Sequence, residues 1–151
     1  NATGAQSLFG VGVTLVSSTI YEFEMVIGLN KTAGATSHTF SLLFGGTATL
    51  NNIGYELIFE TGTNALGNNT TSSSVFLSAA TAFGLATIAS AASHVSAIIK
   101  GTVSVNAGGT FIPQYTLSAA PGGAYTTQAG SYMKIKPLSA SGANVAIGSW
   151  A

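Results

Sequence analysis

The side chains of this chain best suited to moving protons are four glutamates, Glu22, Glu24, Glu56 and Glu60, and two histidines, His38 and His94. Glycoside cleavage needs two carboxylates flanking one cleft. "YEFEM" and "YELIFE" each hold such a pair, at an even spacing that puts both carboxylates on one face of a strand. That face is opposite the one carrying Tyr21, Phe23, Met25 and Ile27, or Ile53, Tyr55, Leu57 and Phe59, so the expected role of the glutamates is solvation. A serine triad lacks aspartate; Glu could substitute, but no G-x-S-x-G elbow surrounds any serine. The two histidines need a Glu to complete a three-ligand zinc site, and their spacing carries no zinc pattern. Both sit at the start of predicted strands and read as solvated or interface hydrogen-bonders. "GVG" at Gly10 to Gly12 is not followed by a helix and carries no phosphate-loop meaning. The reading is a non-enzyme with no catalytic residue, no metal and no cofactor.

Composition narrows the partners. The 151 residues suit one domain, 1–151, with one core. Only 5% of residues are charged, four Lys against four Glu, far below the usual quarter of a globular domain. Four scattered lysines cannot neutralise a run of phosphates, so nucleic acid is excluded as a partner. No apolar run approaches the roughly 20 residues of a membrane-spanning helix, so membrane insertion is not expected. Cysteine is absent, which excludes disulfides and thiolate metal sites. A neutral surface favours association, and the predicted partners are copies of the chain itself.

The elements that must position these groups are strands. Period-two alternation is clean in "TIYEFEMVIGLN", "NNIGYELIFETG" and "HVSAIIKGTVSVNAG". Shorter strands are predicted at Ser7 to Val16, Ser37 to Phe44, Val75 to Leu77, Phe111 to Leu117, Ser131 to Pro137 and Val145 to Trp150. Leu77 to Ala92 is Ala-rich and compatible with either a helix or a short strand. Eight to ten strands separated by Gly-, Asn- and Ser-rich turns predict an all-β fold, an antiparallel two-sheet sandwich of the jelly-roll type. Pro113 has no amide hydrogen to donate, so "TFIPQYTL" is expected at a sheet edge or a bulge, its apolar side on the core or on a neighbouring subunit.

The succession "GATSHTFSLLFGGTATL", "KGTVSVNAGGTFIPQYTLSAAPGGAYTTQAGSYMKIKPL" and "VAIGSW" resembles a domain of tailed-bacteriophage virion surface proteins, of the fibre and decoration type. The resemblance runs from "GAQSLFG" through "YEFEMVIGL" to Trp150. It implies a β-sandwich on the virion exterior, assembled as a homotrimer and contacting other virion proteins, in capsid decoration, a head fibre or a tail fibre. Two alternatives stand beside it: a carbohydrate-binding module that recognises a host surface glycan, and an extracellular filament subunit built by strand exchange. Candidate ligand or subunit contacts are Pro113, Tyr115, Tyr132, Lys134 and Trp150; Trp150 would stack on a sugar or seal a trimer axis.

Overall fold

A computed structural model describes residues 2–31, 33–62, 69–78, 80, 83–88 and 93–140. Along the chain come β1 (Gln6–Ser7), β2 (Val13–Leu15), β3 (Thr19–Lys31), β4 (His38–Gly45), β5 (Thr49–Gly62), β6 (Asn69–Leu77), β7 (Phe83–Ile88), β8 (Ser93–Ala107), β9 (Gly109–Leu117), β10 (Tyr125–Thr127) and β11 (Tyr132–Ala140). They form two antiparallel sheets, and the chain is the all-β two-sheet sandwich its alternation predicts. The smaller sheet runs β1, β9, β4, β7, with β2 also on β9; the larger runs β10, β3, β8, β5, β6, with β11 also on β3.

Three long strands, β3, β8 and β5, form the centre of the larger sheet, β3 and β8 in continuous register from Thr19↔Val105 to Lys31↔Ser93, and β8 and β5 from Asn52↔Ser104 to Gly62↔His94 beyond register shifts between Thr49 and Asn52. Their odd residues enter the core: Phe23, Met25, Tyr55, Leu57, Ile99, Val103 and Val105 are each 1% exposed or less. Gly101 breaks the apolar series of β8 for a steric reason. It lies between Phe23 and Tyr55 in register, and a Cβ there would be 2.3 Å from the Gly54 carbonyl oxygen and 2.5 Å from the Tyr55 Cβ. The space is taken by the backbone of β5 at Gly54 and Tyr55. Phe23 meets Phe44 edge-on at 5.4 Å, which ties the two sheets together, and Phe44 stacks on Phe111 at 5.0 Å within the smaller sheet. Such pairs add about 0.5–1.5 kcal/mol each beyond simple burial.

Sequence and structure differ at the rims. The stretch from Ser7 to Val16 is two short strands rather than one, both on β9, with Phe9–Gly12 looping between them. The Ala-rich segment contributes a strand, β7, and the Val75 to Leu77 strand begins earlier, at Asn69. The last predicted strand, Val145 to Trp150, lies outside the described residues.

Pro113 is not on an edge strand, because β9 pairs with β4 on one side and with β1 and β2 on the other. Its carbonyl accepts from the Leu8 amide at 3.0 Å, so the missing amide hydrogen would point to that same side, towards Leu8, whose carbonyl accepts from the Thr127 hydroxyl instead. The β4–β9 ladder therefore loses nothing. The proline is tolerated because the Leu8 carbonyl that would face its amide hydrogen is satisfied by Thr127.

Candidate functional site

Charge is divided unequally between the two outer faces. All four glutamates and Lys100, Lys134 and Lys136 stand on the outer face of the larger sheet, while Lys31 is buried. Register places them in rows across the strands. Lys134, Glu24, Lys100 and Glu56 are successive neighbours on β11, β3, β8 and β5; Lys136 and Glu22 are neighbours in a parallel row. Lys136 reaches Glu22 at 3.1 Å, and Lys100 reaches Glu24 at 3.8 Å.

Two of the candidate contacts belong to this array. The Tyr132 hydroxyl donates to Glu24 Oε1 at 2.6 Å, and the Lys134 ammonium lies 5.0 Å from the Tyr132 ring centroid. The Tyr132 hydrogen bond is the main reason the Glu24 carboxyl is held below the usual carboxylate range; partial desolvation opposes it, and Lys100 and Lys134 reinforce it. The same bond raises the Tyr132 phenol. Glu22, Glu24, Lys134 and Lys136 line a shallow depression of about 310 Å³, and Glu56 and Lys100 line another of about 320 Å³ with Ile58 and Ile98. Glu24 and Glu56 are separated by the β8 strand, with Lys100 between them in register.

The other candidates lie elsewhere. Tyr115 is inside the sandwich, stacked on Phe40 at 5.1 Å, with its hydroxyl donating to Gln6 Oε1 at 3.3 Å. Pro113 is buried too, so the apolar side of β9 meets the core and not a neighbour. Trp150 lies outside the described residues.

A buried polar cluster that the sequence did not reveal closes one end of the sandwich. His38, expected at a solvated or interface position, is 2% exposed, with Nδ1 2.8 Å from the Thr36 carbonyl and Nε2 2.8 Å from the Tyr125 hydroxyl. Both ring nitrogens are thus engaged. Lys31, the register neighbour of Tyr125, is also 2% exposed and donates to the Ala33 carbonyl at 3.1 Å and to that of Gly34. Burial lowers the Lys31 ammonium pKa and, with Tyr115 nearby, pushes the Tyr125 phenol far up. The cluster clamps the loop after β3. His94, by contrast, stands on the outer face of β8, so the two histidines are on opposite sides of the larger sheet. Among the described residues no three His, Cys, Asp or Glu side chains converge to hold a metal.

The outer face of the smaller sheet carries no charge. On β4 and β9 it presents Thr39, Ser41, Leu43, Thr110, Ile112, Gln114 and Thr116, all half-buried. The Ile112 side chain lies over Gly12, whose added Cβ would be 2.6 Å from Ile112 Cγ1, and the Gln114 amide lies over Gly45 at 2.2 Å from the same construction. Where this sheet meets β11, a shallow cleft of about 290 Å³ is lined by Phe9, Val11, Val13, Pro113, Met133 and Ile135. Comparison with protein-family models, with curated proteins and with solved structures finds no match to the chain.

Proposed function

We propose that this chain is a non-enzymatic structural protein of the bacteriophage virion exterior, a capsid decoration, head-fibre or tail-fibre domain that acts by assembling with copies of itself and with other virion proteins. The virion placement and the trimeric state follow from the resemblance of its long motifs. The observation that carries the assembly reading is the partition of charge: one outer face holds seven of the eight Lys and Glu side chains, and the other, on β4 and β9, is an uncharged field of Thr, Ser and Gln with Ile112 and Leu43. Interface cores are depleted in charge because desolvating an ion is costly, and small hydroxyl side chains avoid that cost. The exposed large apolar side chains among the described residues, such as Val11, Ile58 and Ile98, are aliphatic. They suit contact with protein better than stacking on a sugar ring, which favours assembly over a glycan-binding module.

Light scattering at micromolar concentration tests this reading. The wild-type protein is expected as an oligomer, most simply a trimer. Ser41→Lys combined with Thr116→Lys, which puts two ammonium groups on register neighbours of the uncharged face, is expected to reduce the oligomer to a smaller species. A wild-type monomer would overturn the proposal.

A further inference from the structure

The charged face has a symmetry of its own. Across β11, β3, β8 and β5 its charges read Lys134, Glu24, Lys100, Glu56, which is plus, minus, plus, minus. Reversed, the row reads minus, plus, minus, plus. The next row, in the same strand order, is Tyr132, Val26, Ile98 and Ile58, an apolar band in which Ile98 is 42% exposed and Ile58 43%. Lone exposed aliphatics are ordinary, but Ile58 and Ile98 are adjacent and line one shallow depression of about 320 Å³ with Glu56 and Lys100, an apolar patch that water solvates poorly.

We propose that this face is a second self-association surface, on which two copies meet face to face about a two-fold axis parallel to the strands and midway between β3 and β8. That rotation reverses the order of the strands. Lys134 then faces the partner's Glu56, and Glu24 faces the partner's Lys100, with each contact repeated by symmetry. In the apolar row Val26 faces the partner's Ile98, and Ile58 faces the partner's Tyr132. In the row beyond, Lys136 and Glu22 fall opposite the partner's Gly54 and Thr102, so no like charges meet. The perpendicular axis, running along the charged row, would set each charge against its own copy. Electrostatics therefore selects one of the two simplest face-to-face pairings by rejecting the other.

The occupant is a second copy because the pattern complements its own reversal. A partner of unrelated sequence has no reason to share this alternation at the spacing of a β-sheet. The outer strands of the row stand about 14 Å apart, three strand spacings, so the contact covers a patch well short of the roughly 800 Å² per partner of a standard interface. It is a weak contact, and it goes beyond the assembly reading above, which rests on the opposite face.

The absence of cysteine from the sequence gives a clean trap. Lys134→Cys protein and Glu56→Cys protein, mixed at low salt and treated with a short bismaleimide, are expected to give at least fivefold more covalent dimer than either variant alone. Within one chain each variant has a single thiol, and in the proposed pair the two copies of one site lie at opposite corners. Adding Ile98→Glu to both variants is expected to reduce the yield to the single-variant level, with circular dichroism showing that the strands persist. A mixed yield no higher than that of the separate variants would overturn the two-fold contact. Oligomers seen by light scattering together with that result would leave the uncharged-face assembly standing, whereas monomers would remove both.

Discussion

Tyr55 is the residue whose chemistry fits its place least well. It is fully buried beside Phe23 and Phe44, its hydroxyl has no partner among the described atoms, and burial raises its phenol pKa. An unsatisfied buried hydroxyl costs about 1–3 kcal/mol relative to water, while the ring itself contributes to the core. Tyr55→Phe is therefore expected to leave stability unchanged or raise it by up to about 1 kcal/mol in urea unfolding, with no loss of cooperativity. A clear loss of stability would mean that the hydroxyl has a partner, such as a buried water. Lys31 is the converse case, a buried charge whose donors satisfy the Ala33 and Gly34 carbonyls. Lys31→Met keeps the apolar stem and removes those donors, so a loss of about 1–3 kcal/mol is expected in the same measurement. For Glu24 the argument is one of pH. Its folded pKa lies below the ordinary 4.5, so its contribution is present above pH 4.5 and is lost as pH falls through the lowered value. Glu24→Gln should flatten the fall in stability below pH 4.5 and leave the profile near neutrality the same in shape.

Among the elements, the central strands were legible and the rims were not. In β3, β5 and β8 alternation alone assigned both faces, since a one-residue slip would drive Glu22, Glu24 or Lys100 into the core. The two parities should therefore differ sharply in denaturant melts: Phe23→Ala is expected to cost about 3–5 kcal/mol and Glu22→Gln less than about 0.5 kcal/mol. At the rims the signal is too short. Three residues of β10 and two of β1 carry no period, and their pairing is decided by the neighbour that needs a ladder partner. Pro113 shows the same limit. Its chemistry announces a missing donor, but an edge and an interior strand whose facing carbonyl has another donor satisfy that equally. Only the tertiary pairing distinguishes them. Pro113→Val would place a new amide hydrogen against the Leu8 carbonyl, away from solvent and in competition with the Thr127 hydroxyl. The expected result is a loss of about 1–3 kcal/mol with an unchanged size distribution, since the site is not an adhesive edge. The candidate contacts divided in a similar way: alternation grouped Tyr132 with Lys134, whereas the burial of Tyr115 depended on where the second sheet lies. His38 and Lys31 were hidden because polar side chains that close the end of a sandwich leave no periodic trace.

At the scale of the whole molecule, the two faces should respond differently to salt. Surface charges interact over about 10 Å at 0.1 M ionic strength and about 3 Å at 1 M, so a contact made of Lys134, Glu24, Lys100 and Glu56 weakens as salt rises. The outer face of the smaller sheet has no ions to screen, and burying its apolar side chains depends little on sodium chloride at these levels. Sedimentation velocity from about 0.05 to 0.5 M sodium chloride should then show two regimes. The oligomer held by the uncharged face is expected to persist across the series, while larger species joined through the charged face decline. Substitution reverses the dependence: Ser41→Lys with Thr116→Lys places like charges on the first surface, and raising the salt should then restore some of the lost association by screening them. A wild-type oligomer that dissolved with salt while these variants remained insensitive would assign assembly to the charged face, and the division of labour between the two sheets would be reversed.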